Sequence, residues 1–182
     1  EKKHQPDLNL IYLPHLDYDL QRYGPNDPIC AKAIKEIDQL SGALIDFLSQ
    51  RGIKCIVLSE YGITEAKRVI YPNRLFRHQG WLNIKEEFGL ETLDSGGSKA
   101  FAITDHQIAH IYLPGNDSSL KKKVKTCLQS LDGIASVLEG EDRQLSGLNH
   151  SRSGDLVVLA EEDAWFSYYF WEEDEKAPEF AR

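Results

Sequence analysis

The stretch Leu8-Asn9-Leu10-Ile11-Tyr12-Leu13-Pro14, continued by His15-Leu16-Asp17-Tyr18-Asp19-Leu20-Gln21-Arg22-Tyr23-Gly24-Pro25, decides how this chain is read. An apolar, β-favouring run closed by a proline reads as a buried strand over Leu8 to Leu13. A loop then follows with a His, two Asp, a Gln and an Arg close together. In open α/β sheets ligands bind outside the carboxyl ends of strands, so a polar cluster at that position is a candidate site.

Working outward, Asp27-Pro28 has the chemistry of a helix start, Asp27 as N-cap and Pro28 as first helical residue. The helix is predicted to run to about Gln50. Cys30, Ile34, Ile37, Leu40, Leu44, Phe47 and Leu48 recur at three and four and define its apolar face. Gly52 is the expected stop. Ile53 to Leu58 then reads as a second buried strand, which makes a β-α-β unit with two parallel neighbours joined by a right-handed crossover. The second strand ends in Ser59-Glu60-Tyr61-Gly62, so two polar loops are expected to converge on one sheet edge.

Further on, the pattern predicts a short helix over Asn73 to Gln79 and a strand over Trp81 to Ile84. It leaves Glu86 to Asp94 ambiguous. Ser95-Gly96-Gly97-Ser98 is a turn or link and a soft boundary. Lys99 to Thr104 and Ile108 to Leu113 read as a hairpin, Ser118 to Leu131 as a helix, and Ile134 to Leu138 and Asp155 to Ala160 as strands. The aromatic run from Trp165 to Trp171 is compatible with a strand covered on both faces, and the acidic run after it with a solvated loop. The expected fold class is α/β: a β-α-β core portion over residues 1–94 and a smaller α+β portion over residues 95–182.

The 182 residues are enough for a substantial core. A net charge of −8 argues against broad binding to nucleic-acid backbone or to an anionic membrane. No apolar run approaches the ~18 residues of a spanning helix. Cys30, Cys55 and Cys127 each sit in an apolar stretch, with the spacing of neither a metal motif nor a disulfide framework. They read as buried free thiols, which fits a reducing, cytoplasmic compartment. The chain has no methionine, even at position 1, so it is expected to be processed or trimmed. Oligomeric state is left open.

Several side chains are chemically suggestive, and each keeps two readings. Asp17 with His15 and Asp19 offers carboxylate oxygen and imidazole nitrogen to a divalent cation, or forms a capped, solvated loop. Glu60, with Tyr61 beside it, is a second metal carboxylate or general base, or a strand-end carboxylate bonded to backbone amides. Asp105 and His106 are an orienting pair or a hairpin tip bonded to its own turn. His110 reads as a packed or surface histidine. His150 with Arg152 is an anion site or an ordinary loop, and Lys121-Lys122-Lys123 a solvated helix face. Phosphate-loop, dinucleotide-binding and nucleophile-elbow motifs are absent.

Leu16 to Pro25 resembles the metal-site loop of the type I phosphodiesterase/nucleotide pyrophosphatase family, in the alkaline phosphatase superfamily. That loop has an Asp, a His four residues on, and then Gly-Pro. Ser59-Glu60-Tyr61-Gly62-Ile63 falls where the family has Ser-Asp-His-Gly-Met, whose Asp and His bind the second metal. The resemblance implies a fold like the core of the alkaline phosphatase superfamily, incomplete in this chain. It also implies hydrolysis of a small phosphorylated substrate, a phosphate ester or diester, with a divalent metal, zinc in the family. Asp17 and Glu60 match metal positions. Gln21 and Tyr61 stand where the family has histidines, with His15, Asp19 and His106 as reserve donors. The family's nucleophile lies upstream of residue 1 and its last histidine ligand downstream of residue 182, so the chain by itself is expected to be inactive. A relative that binds a phosphorylated ligand without turning it over, or a plain interaction domain, is the alternative.

Overall fold

The computed structural model describes residues 6–181. The chain forms two compact units, Glu1–Glu65 and Ala66–Arg182.

The first unit is helical. Helix α1 (His15–Tyr23) occupies the segment expected to be a loop. No Gly or Pro interrupts it between Pro14 and Gly24. Leu16 and Leu20, four residues apart, share one half-buried face. Asp17 in its first turn and Arg22 in its last complement the helix dipole. Gly24, at φ 82°, closes it and donates its N–H to the Leu20 carbonyl. Helix α2 (Pro28–Ser49) starts as expected, with the Asp27 carboxylate accepting from the Ile29 N–H at 2.9 Å. It ends at Gly52, φ 71°, where the Ile53 N–H reaches back to the Leu48 carbonyl.

Neither predicted strand of this unit forms. Residues 8–13 and 53–58 carry no regular structure, and Leu10 is 90% exposed and Leu58 85%. A strand is held by ladder hydrogen bonds to a neighbour and by a covered face. Among the described residues neither segment has a partner strand, so apolar composition alone does not order it. The apolar face of α2 is likewise only partly covered: Cys30 and Ala33 are buried, whereas Ile34, Leu40 and Phe47 are exposed.

The second unit supplies the sheets. Strand β1 (Arg68–Ile70) leads into α3 (Pro72–His78). Strands β2 (Ile84–Glu87) and β3 (Leu90–Leu93) form a hairpin whose tip, Phe88-Gly89, has φ 54° and 80°, the mirror-image turn that matches strand twist. This resolves the ambiguous region. Next come β4 (Phe101–Asp105), β5 (Ile108–Tyr112), α4 (Ser118–Gln129) and β6 (Ile134–Leu138). A short helix α5 (Glu141–Leu145), β7 (Leu156–Ala160) and β8 (Ala164–Phe166) follow. The main sheet is antiparallel in the order β4-β5-β7-β6, while β1 and β8 make a separate parallel pair. The architecture is thus mixed α/β, with both sheet types.

Register explains the core. Ala102 pairs with Ile111 and Ile111 with Leu156; Ala109 pairs with Val158 and Val158 with Val137. All six are buried on one sheet face, in one apolar cluster with Val124 and Leu128 of α4 and Phe76 of α3. Asn73 is buried as well and uses its amide fully: it donates to the Ala102 and Tyr168 carbonyls and accepts the Ala102 N–H at 2.7 Å. Arg77 grips the buried Glu91 through two hydrogen bonds, at 2.5 and 3.0 Å, and also donates to the Phe170 carbonyl. Gly154 lies against the backbone of Ile111, where a Cβ would meet N and O at 2.6 Å. Only Ala164 to Phe166 of the aromatic segment is strand; Tyr169 and Trp171 stack at 4.1 Å instead. Of the cysteines, Cys30 is buried, Cys127 partly covered and Cys55 exposed, which corrects the expectation that all three are inside. Among the described residues no helix is long and apolar enough to cross a membrane.

Candidate functional site

The two polar segments singled out in the first unit meet through side chains, although the strands expected to carry them are absent. Asp17 and Gln21 lie one turn apart on α1, so their side chains share a face. The Gln21 amide Nε2 donates to both Asp17 oxygens, at 3.0 Å each. The Tyr61 hydroxyl donates to Asp17 Oδ1 at 2.8 Å, across 44 residues of sequence. Ser59 folds the second segment locally, its Oγ donating to the Tyr61 carbonyl at 2.7 Å. The hydrogen bond to Asp17, then desolvation, pushes the Tyr61 phenol above its ordinary range, because losing that proton would place two negative charges together.

The remaining candidates disperse. His15 faces α2, with Nε2 at 3.1 Å from Glu36, which also pairs with Lys32 at 3.6 Å. Glu36 is a partner that sequence reading leaves out, since nothing in a spacing of 21 residues announces the contact. The extended geometry that would have put His15, Asp17 and Asp19 on one side is replaced by helix, which fans them around the axis. Glu60 is exposed and bears on the site through its charge next to Tyr61. His106 belongs to the second unit, at the turn between β4 and β5, with φ 52° and its Nδ1 2.6 Å from Asp105 Oδ1. His110 accepts the Gly154 N–H on Nδ1, and burial followed by the Arg143 charge lowers its pKa. His150 Nδ1 accepts the Arg152 N–H inside their own loop.

The donor chemistry can be set against the metal implied by the resemblance. Zinc takes imidazole nitrogen, thiolate and carboxylate oxygen. Here the central carboxylate is flanked by an amide and a phenol, both spending hydrogens on it. Among the described residues, no group of three His, Cys, Asp or Glu side chains is placed to share a metal ion. The residues at positions 17, 21 and 61 therefore do not fit a zinc centre.

Comparison with known proteins bears on the whole chain. An uncharacterized pyrophosphatase/phosphodiesterase from Schizosaccharomyces pombe is 35% identical over 80 residues, covering 41% of this chain and 16% of its own length. The structure of murine ectonucleotide pyrophosphatase / phosphodiesterase 5 superposes with a TM-score of 0.57 at 21% identity, over 82% of this chain and 36% of the murine one. An inactive variant of that murine protein, in complex with AMP, matches equally well. The chain thus spans well under half the length of these relatives. The family model described as type I phosphodiesterase / nucleotide pyrophosphatase matches residues 1–181, nearly the entire chain. With that match, the chain belongs to the type I phosphodiesterase / nucleotide pyrophosphatase family.

Proposed function

We propose that the protein containing this chain is a hydrolase for a small phosphorylated substrate, a phosphodiester or nucleotide pyrophosphate. The family match over residues 1–181 carries this reading. The murine neighbour, whose inactive variant was obtained with AMP, supports a nucleotide as the kind of ligand. Within the chain, α1 contributes Asp17, whose carboxylate is held in place by Gln21 of the same helix and Tyr61 of the 59–63 segment. A carboxylate held in one orientation in this way can orient hydrogen-bond donors of a bound ligand. The three free thiols support a reducing, cytoplasmic setting.

The test is hydrolysis of a chromogenic phosphodiester and of a nucleotide pyrophosphate by the full-length protein. Turnover that falls at least tenfold in Asp17→Ala is expected. Absence of turnover on both substrates overturns the hydrolase reading. A second reading, a relative that binds without turnover, is favoured by the hydrogen bonds that already occupy Asp17. It predicts that AMP raises the melting temperature of the full-length protein while both substrates stay intact.

A further inference from the structure

The family resemblance places histidines where this chain has Gln21 and Tyr61, and the structure gives those two residues a shared task. Both donate hydrogen to the same carboxylate, from separate segments of the first unit. We infer that Asp17, Gln21 and Tyr61 form a hydrogen-bonded clasp that takes the place of zinc coordination and pins residues 59–63 to helix α1. The clasp rests on the family assignment and is independent of whether the protein turns substrate over.

The geometry argues for replacement rather than for a ligand set awaiting its metal. Gln21 Nε2 stands 3.0 Å from Asp17 Oδ1 and 3.0 Å from Oδ2, on the bisecting approach that a chelated cation would use. Turning the amide over would set its carbonyl oxygen against the carboxylate, so the nitrogen belongs on this side. Tyr61 brings a neutral O–H to Oδ1 at 2.8 Å. A zinc–carboxylate bond of roughly 2.0–2.2 Å would need both donors withdrawn, and neither brings the imidazole nitrogen that zinc favours. The carboxylate charge is instead shared among charge-assisted hydrogen bonds, the stronger class of such bonds. Helical spacing supplies the first donor and the Ser59–Tyr61 turn aims the second. Tyr61 is accordingly a positioning residue for its segment. The exposed apolar residues 56–58 lie just before it in the chain.

The experiment uses the full-length protein, loaded with zinc, desalted and analysed for metal, together with limited proteolysis. Asp17→Asn is expected to leave zinc per chain unchanged. The double substitution Gln21→His with Tyr61→His is expected to add one zinc per chain. Tyr61→Phe, which removes only the hydroxyl, is expected to speed cleavage within residues 54–63 by about tenfold, the effect of losing one hydrogen bond to a charged group, with zinc content constant. Loss of one zinc per chain in Asp17→Asn, with helical circular dichroism preserved, overturns the clasp in favour of a metal site. No gain of zinc by the double variant, or unchanged cleavage in Tyr61→Phe, also overturns it. Metal content and cleavage are read without substrate, so these outcomes stand apart from failure of the hydrolase reading.

Discussion

The two units of this chain use similar apolar sequence to different ends. In the second, short strands such as Leu156–Ala160 have a hydrogen-bonded neighbour on each side, and Leu156, Val157 and Val158 are fully buried. In the first, Ile53 to Leu58 is just as apolar, yet Ile56, Val57 and Leu58 are 75–85% exposed. The difference is one of partners. Backbone groups of a buried segment must be paired, and a single segment cannot pair with itself as a strand. Helices satisfy their own backbone, so the first unit keeps α1 and α2 while its extended segments stay irregular.

All three tryptophans, Trp81, Trp165 and Trp171, lie in the second unit, so their fluorescence reports on its unfolding alone. The largest contrast should come from the core. Phe76→Ala should destabilise the second unit by ~4 kcal/mol in a fluorescence-detected denaturant melt, whereas Val57→Ser in the first should stay within ~0.5 kcal/mol by helical circular dichroism. Equal effects would erase the distinction between the units. Next, Arg77→Met leaves the Glu91 carboxylate, 5% exposed, without its partner and should cost ~3 kcal/mol. In Asn73→Ala the Ala102 N–H and C=O lose their side-chain partner, for a cost of ~2 kcal/mol. Helix capping should work alike in both units: Asp27→Ala and Asp117→Ala remove carboxylates that accept backbone N–H bonds, and each should cost ~1 kcal/mol.

The smallest effect concerns pH. Lys121 and Lys125 both donate to Glu139 and hold its carboxyl below the ordinary value of 4.5. The folded pKa is depressed, so this stabilisation is complete above about pH 4.5 and fades as pH falls through the lowered value. The pair is a third exposed, so the loss should stay under ~1 kcal/mol. Comparing acid melts of the protein with those of Glu139→Gln, which removes the titration, would measure it.

How much of this was legible in the sequence depended on the range of the interactions. Helix α2 was readable from Asp27, Pro28 and Gly52, because caps act locally. The β4–β5 hairpin and α4 were readable from alternation and three-four spacing. Strand β1 was not, because Arg68-Val69-Ile70 is too short to show a period, and its partner β8 is distant in sequence. Helix α1 was hidden by its own polar residues, which looked like a binding loop. At the candidate site, the loops carrying Asp17 and Glu60 were expected to meet through strands converging on a sheet edge, and it is Tyr61 that reaches Asp17. That contact is made by a helix turn and a hydroxyl, with no sheet edge beneath it among the described residues. Gln21 and Tyr61 were visible as departures from the family pattern, but their shared hydrogen bonding could be seen only once both stood beside one carboxylate.

The parallel pair of β1 and β8 has a consequence for biosynthesis. Arg68 binds Asp163 across 95 residues, with Asp132 and Glu161 on the same guanidinium. A nascent chain elongating at roughly 5–20 residues per second exposes Arg68 for on the order of 5–20 s before that partner is made. Through that interval the β1 edge and the opening of the second unit must wait in the company of the ribosome. Closure of this unit therefore follows the synthesis of Asp163 and cannot begin when Arg68 first emerges.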